Sequence, residues 1–385
     1  MRVIEVTYSS PAETFIQRHA QALNCIGFPV MLVARSRAAN LSGQASLGNV
    51  NHALAIAVMP NFDRISLIKK MTSLRYLLKA GHLQKYKNFK IRDQVLLNYF
   101  RSFKPDLIHF HFGTLAEMMW WIPVELGIPY TLSLRGSDIQ VKPLLSTDGS
   151  KQLRQALNHA AGVHTVCEML WKRAQPYLEG EIYHKTIYTT VPQSESYVEK
   201  KYESPERHFV SVGRFHWTKN FVNLLKAFRH FLDQGLNARL TIIGDGPEME
   251  SLLYWISVLG LQDAVKLPGN LAYEAIRETL TQADAFIQSS IAEGFSNAVA
   301  EAMALGLPVF VTDVGGMAEV IQDDVNGFLL DPYCPEEWWR RLQLAFDKEL
   351  MKKISRNSWQ KSHECFSAEK HAGDFIQFYE QALHG

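Results

Sequence analysis

Residues 285–313, AFIQSSIAEGFSNAVAEAMALGLPVFVTD, constrain the fold more than any other stretch. Ala285 to Gln288 is a short apolar run that reads as a buried strand. A polar turn and a helical pattern follow, then a second apolar run from Pro308 to Thr312. Two continuous apolar runs joined by a helix describe a parallel β-α-β unit, covered on both faces. Ser296 or Asn297 can cap the helix start and Gly306 ends it.

Such a unit cannot bury both its faces alone, and the remaining chain repeats the pattern. VIEVTYS, PVMLVARS, NHALAIAVMP, LIHFHFG, PYTLSLRG and GVHTVC read as strands of a first α/β domain. Between the first two, AETFIQRHAQALNCIG reads as a helix with Phe15, Ile16, His19, Leu23 and Ile26 on one side. Residues 192–206 are polar and read as a linker. Beyond it, strands are expected at 209–213, 239–243 and 264–267, and helices at 220–234, 247–259 and 273–282. With 385 residues, two domains are expected: 1–195 and 206–365, followed by a last helix in 366–385.

The signature helix has a chemical reading. Glu293 precedes its start and Glu301 lies just over a turn inside, with the free amides of Gly294, Phe295, Ser296 and Asn297 between them. A helix start suits a phosphate. A carboxylate suits vicinal hydroxyls, and the two glutamates are roughly 10 Å apart, enough to span a sugar diphosphate. An ordinary helix with a dipole-favoured glutamate is the alternative. Arg214 and Lys219 follow the apolar run FVSVG, where two cations can neutralise a leaving diphosphate or simply be solvated. Gly213 and Gly244 permit close approach at strand ends, or serve as turn glycines.

EGFSNAVAEAMALGLPVFVTDVGGMAEVI is similar to the donor-site signature of the family 4 glycosyltransferases, retaining enzymes of the GT-B fold. VGRFHWTKN resembles that family's R-x₄-K loop, and IIGDGPE, PDLIHFHFG and DDVNGFLLDP also resemble family phrases. The resemblance implies an α/β GT-B architecture, two Rossmann-like doubly wound parallel-sheet domains facing a central cleft, with the last helix crossing back to the first. It implies transfer of a hexose-type sugar from a nucleoside-diphosphate sugar, expected to be a UDP-sugar, to a hydroxyl acceptor with retention. Glu293, Arg214 and Lys219 then take catalytic roles. Glu301, Gly294, Phe295, Ser296, Asn297, Gly213, Gly244 and Leu271 bind the donor, and Gly315 and Gly316 line its cleft. Arg135, Asp138, His111 and Glu13 belong to the acceptor side. SLRGSDI departs from the family pattern, with Arg135 where a histidine is usual, and YSSPAETFI lacks the common Gly-Gly. The YSSPAETFI and GSDI variants resemble those of polysaccharide-assembly enzymes and point to envelope or exopolysaccharide synthesis. A sugar-nucleotide epimerase or hydrolase on the same fold, or a non-catalytic partner subunit, are the alternatives.

Composition narrows the class. Hydrophobic residues make up 47% and charged residues 21%, so large cores are available. Cys25, Cys167, Cys334 and Cys365 show no CxxC spacing, which indicates a reducing compartment and neither zinc nor a disulfide framework. No D-x-D occurs, and His109 and His111 form an H-x-H without an evident third ligand, so neither a metal nor a cofactor is expected. No apolar stretch approaches a membrane span and MRVIEVTYSS lacks a signal-peptide core, so a cytoplasmic place is expected. Residues 1–200 hold 23 Lys/Arg against 14 Asp/Glu, and residues 201–385 hold 17 against 25. The basic excess concentrates in 64–104, where Ile65, Ile68, Met71, Leu74 and Leu78 mark an amphipathic helix. That helix suits an anionic membrane surface, an acceptor, or plain core packing. Nucleic acid is not expected, because base-stacking motifs are missing and the net charge is only +1.

Overall fold

The computed structural model describes residues 1–10, 13–37, 55–59, 91–145 and 147–384. The amphipathic helix expected at 64–79 lies outside the described residues. Two all-parallel sheets organise the rest. The first contains β1 (Val3–Ser10), β2 (Val30–Arg37), β3 (Ala55–Val58), β4 (Leu107–Phe110), β5 (Tyr130–Leu134), β6 (Gly162–Thr165) and β7 (His184–Thr186), in the order β3-β2-β1-β4-β5-β6-β7. The second contains β8 (Arg207–Val212), β9 (Ala238–Ile243), β10 (Val265–Lys266), β11 (Ala285–Gln288), β12 (Val309–Thr312) and β13 (Phe328–Leu330), in the order β10-β9-β8-β11-β12-β13.

Strand order reverses between β1 and β4 in the first sheet and between β8 and β11 in the second. In doubly wound sheets the loops leaving such a pair diverge to opposite faces and open a crevice at the strand C-termini. The β1 loop with the β4 loop, and the β8 loop with the β11 loop, therefore form the two walls on which any ligand site rests.

The predicted strands form because their apolar runs are buried on both faces: β4, β5, β6, β11 and β12 are buried at every residue. β7 and β13 lie outside the strands expected from the sequence, and β7 has the weaker signal. HKT has no apolar run, and the strand forms at a sheet edge by pairing with β6, Thr165 against Thr186. The helix Thr14–Cys25 buries Ile16, His19 and Leu23 as its spacing predicts. Two details of its stripe differ. Ile26 lies past the helix end and is 45% exposed, whereas Arg18 is buried because a carboxylate from the other sheet meets it.

The last helix, Ala368–His384, packs on the first sheet beside Thr14–Cys25. Its Phe375, Phe378 and Tyr379 cover Val3, Leu32 and Leu107. It follows the helix Lys348–Phe366, whose Phe366 is buried with the signature helix Asn297–Ala304 on the second sheet. Two consecutive helices, broken at Ser367, thus serve both cores. Phe375→Ala removes a fully buried ring from this junction. It is expected to cost about 3–5 kcal/mol, read as a lowered urea midpoint. A midpoint within experimental error of the parent would show that the helix contributes little to the first core.

Candidate functional site

The signature loop is built at the C-terminal ends of β8, β11 and β12. Lys219 leaves the β8 loop, and its carbonyl accepts the Ser289 hydroxyl at 2.7 Å, which ties the β8 loop to the end of β11. Its ammonium pairs with the Glu293 carboxylate, both side chains about four-fifths buried. The cation and the acid predicted from separate motifs are therefore direct partners. Ser296 caps the signature helix, its Oγ accepting from the Val299 amide, and Asn297 is the first helical residue. Of the two candidate caps the structure uses Ser296. Its β-region backbone (φ −97°, ψ 104°) aims the hydroxyl back at the first turn. Arg214 is exposed and makes no ion pair among the described residues.

The glycines around this loop separate by role. A Cβ on Gly213 would make only ordinary contact with Lys219. Gly244, at φ +148°, is required by backbone packing: its Cβ would lie 2.0 Å from the Gly213 carbonyl. Gly244 thus supports the β8 loop from beneath. Leu271 is half-buried against the core cluster of Val210 and Ile243.

Glu301 points across the cleft. Its Oε1 accepts from Arg18 Nη1 at 2.7 Å, with side-chain exposures of 17% and 8%. The Arg18 guanidinium also sits 5.3 Å over the Tyr273 ring. A second crossing is made of backbone. Gly294 lies against the β5 loop so closely that a Cβ there would stand 2.1 Å from the Arg135 carbonyl. Gln140 Nε2 donates to the Glu293 carbonyl at 3.2 Å, and the Gly316 amide donates to the Gly294 carbonyl at 2.7 Å. Glu319 accepts the amides of Glu168 and Met169 at 2.9 and 2.8 Å, capping the helix Glu168–Ala174 of the opposite sheet. It acts as a helix-cap acid, though for a helix 150 residues away in sequence. Gly294→Ala is expected to separate the β5 loop from the signature loop while both cores stay folded. A larger radius of gyration with an unchanged far-UV circular dichroism spectrum is the sign, and an unchanged radius would contradict it.

Opposite the signature loop lies a cavity of about 370 Å³. Tyr8, Phe15 and Phe112 form its aromatic side, and Phe295 and Asn297 enter from the second sheet. Arg135 lines it, half-buried, with its guanidinium 4.4 Å over the Phe15 ring. Burial pushes its pKa down to about 10, against the pull of Asp138 and Glu13, so it stays cationic at neutral pH. Asp138 is buried and accepts the amides of Gly113, Arg135 and Gly136 at 2.9–3.2 Å, so it shapes the loop. Glu13 accepts the Thr7 hydroxyl at 2.8 Å. Tyr8 and Thr114 share a hydrogen bond on the cavity wall.

Behind Arg135 lies a buried polar cluster. Glu5, on the same face of β1 as Val3, is wholly buried. It takes hydrogen bonds from His19 at 2.7 Å, His111 at 2.9 Å and the Tyr379 hydroxyl at 3.0 Å. Burial alone would raise its pKa, but His19 and His111 override this and hold it well below the usual range. His371 Nδ1 lies 2.8 Å from the Tyr188 carbonyl and must donate there. Its Nε2, 2.9 Å from His19 Nδ1, is then the acceptor of that contact, and His19 Nε2 meets Glu5. His111 donates Nε2–H to Glu5, and its Nδ1 faces Arg135 Nη2 at 3.4 Å. Glu5, His19 and His111 offer ligand atoms within 4.8 Å of one another, the group here with metal-ligating character. The two residues that join His111 thus come from β1 and the first helix. His109 turns instead to Thr131 and Ser133.

Burial pushes His111 down to about 4 and His371 to about 3, and holds His109 and His164 well below the ordinary value. These rings stay neutral when folded, while an unfolded chain takes up their protons below about pH 6.5. Stability is therefore present above that pH and lost as the pH falls toward the folded values. Glu5, with its depressed value, adds a loss below its own ordinary range in the same direction. Urea midpoints are expected to drop from pH 7 to pH 5, by up to about 1.4 kcal/mol per pH unit for each such histidine. A flat profile would contradict the neutral assignment.

Sequence reasoning missed Arg18, Glu5, His371 and Tyr379. For Glu5 a signal existed: a lone acid in VIEVTYS, a strand expected to be buried on both faces, must find buried partners. Arg18, His371 and Tyr379 gave none, since each looks like the polar side of an amphipathic helix.

Comparisons with known proteins bear most directly on the second half of the chain. Residues 194–362 match the family model described as Glycosyl transferases group 1. The chain carries a glycosyl transferases group 1 domain. This glycosyltransferase domain spans the whole second sheet and the signature loop. The N-acetyl-alpha-D-glucosaminyl L-malate synthase of Bacillus anthracis is 24% identical over 294 residues, 72% of this chain and 75% of that protein. Anabaena Alr3699/HepE in complex with UDP superposes with a TM-score of 0.76 at 16% identity, covering 99% of this chain and 100% of that one. The lipopolysaccharide outer core galactosyltransferase WaaB in its apo form gives a TM-score of 0.71 at 14% identity, covering 99% of each chain. The two facing parallel-sheet domains are the GT-B fold.

Proposed function

We propose that this glycosyltransferase moves a hexose-type sugar from a UDP-sugar to a hydroxyl acceptor with retention, in envelope or exopolysaccharide assembly. The observation that carries the reading is the Lys219–Glu293 pair beside the Ser296-capped helix start, at the switch point of the second sheet. An anion placed there meets free amides and the positive end of the helix. Lys219 and Arg214 compensate the diphosphate as its charge develops, with no metal or cofactor in the proposal. Glu293 then exchanges Lys219 for hydroxyls of the transferred sugar, and Glu301 exchanges Arg18 for the ribose. The sequence offers no nucleophile with a paired base, which favours front-face displacement. The bond from the anomeric carbon to the diphosphate oxygen breaks, the acceptor oxygen bonds on the same face, and its proton passes to the leaving diphosphate. Support for uridine comes from Alr3699/HepE, solved with UDP and with UDP-glucose. The name of WaaB supports a polysaccharide role. Among the described residues no helix is long and apolar enough to cross a membrane. The proposed place is the cytoplasm, with the acceptor reached in solution or at the inner membrane face.

Calorimetry and turnover on three variants test the division of labour. Glu301→Gln keeps an acceptor for Arg18 and is expected to weaken free UDP by about 1–3 kcal/mol through lost charge-assisted bonds. Glu293→Gln is expected to keep UDP affinity and lose turnover, because its contact is to the reacting sugar. Lys219→Ala is expected to lose about 10²-fold in turnover or more. Equal loss of UDP affinity in both glutamate variants would overturn the assignment. UDP release that does not depend on added acceptor would favour a hydrolase.

A further inference from the structure

We propose that the cleft is built for an acceptor saccharide carrying a carboxylate, and that Arg135 is the residue that binds it. This rests on the glycosyltransferase reading above and names its acceptor class. Arg135 makes no ion pair among the described residues, although it is half-buried and fixed in place. Its Nε donates to the His111 carbonyl at 2.9 Å and one Nη2–H faces His111 Nδ1 at 3.4 Å. Both Nη1 hydrogens and the second on Nη2 have no partner among the described residues. The open edge of this guanidinium, partly withdrawn from water and without a carboxylate in ion-pair contact, offers a charge-assisted site to an anion brought by a ligand.

The nearby acids do not serve. Asp138 is committed to three backbone amides and Glu13 to the Thr7 hydroxyl. Phe15 supports the guanidinium from one side, so its outer edge keeps one N–H on each Nη for a fork onto a carboxylate. Around that edge the cavity is the right kind of place. About 370 Å³ falls within the range of small-molecule sites, and aromatic faces from Tyr8, Phe15 and Phe112 suit the C–H face of a sugar ring. Lys142 lines the same cavity and adds positive field. Apart from Phe295 and Asn297, every wall residue precedes the second sheet, opposite the proposed diphosphate site, which places the carboxylate on the acceptor and not on the donor sugar.

The experiment compares methyl glucuronide with methyl glucoside by NMR titration on protein saturated with UDP, in parent and Arg135→Gln. The uronide is expected to bind at least about tenfold more tightly to the parent, as a charge-assisted fork implies. Arg135→Gln is expected to erase the difference while UDP affinity is unchanged. If the glutamine variant does not fold, Arg135→Lys, which keeps the charge and loses the fork, is expected to reduce the preference. A control arm compares UDP-glucuronate with UDP-glucose, expected to bind alike. Equal binding of the two glycosides by the parent, a preference undiminished in either variant, or a preference confined to the donor arm overturns the proposal. In each of those cases bound UDP leaves the enzyme class standing. A protein that binds no UDP overturns both readings.

Discussion

A carboxylate in the middle of a parallel sheet has to be answered on every side, and much of the first domain is arranged around Glu5. Its two oxygens accept hydrogen bonds from His19 of the first helix, His111 just past β4 and Tyr379 of the closing helix. Removing any donor leaves a buried acceptor short, and removing the acid leaves buried donors unpaired. The cluster therefore ties the chain's two ends together: residue 5 near its start and Tyr379 near its close. It also reaches the cleft, because His111, held by Glu5, holds Arg135 through its carbonyl and ring nitrogen.

The cleft itself is a joint with two kinds of contact. Gly294 against the Arg135 carbonyl is steric and tolerates no side chain. Arg18 with Glu301 is ionic and exchangeable. The second kind differs in consequence, since a charged partner can be replaced by a charged or hydroxylated ligand. The same logic governs Lys219 with Glu293. The acids of the signature are thus paired with cations of the protein, which keeps the loop charge-balanced.

Much of this was legible beforehand. The β-α-β unit at 285–312, its cap, its glycine stop and the alternation that makes both sheets parallel all follow from apolar runs and helix-end chemistry. These are local properties, set within a few residues. The acids and cations of the second half were legible too, because their placement at strand ends is a consequence of the same alternation.

What the tertiary structure alone decided is which side chains meet. β7 exists only because β6 offers it an edge. Arg18 reads as the solvated side of a helix until Glu301, 283 residues away, buries it. Glu319 reads as an acid of its own helix and instead caps one on the opposite sheet. His371 and Tyr379 look like polar positions of a terminal helix and become partners of the first strand's acid. Sequence determined the elements, because propensity, capping and periodicity act over one or two turns. Partnership between charges depends on how two sheets are apposed, and that distance is set by packing that no local pattern encodes.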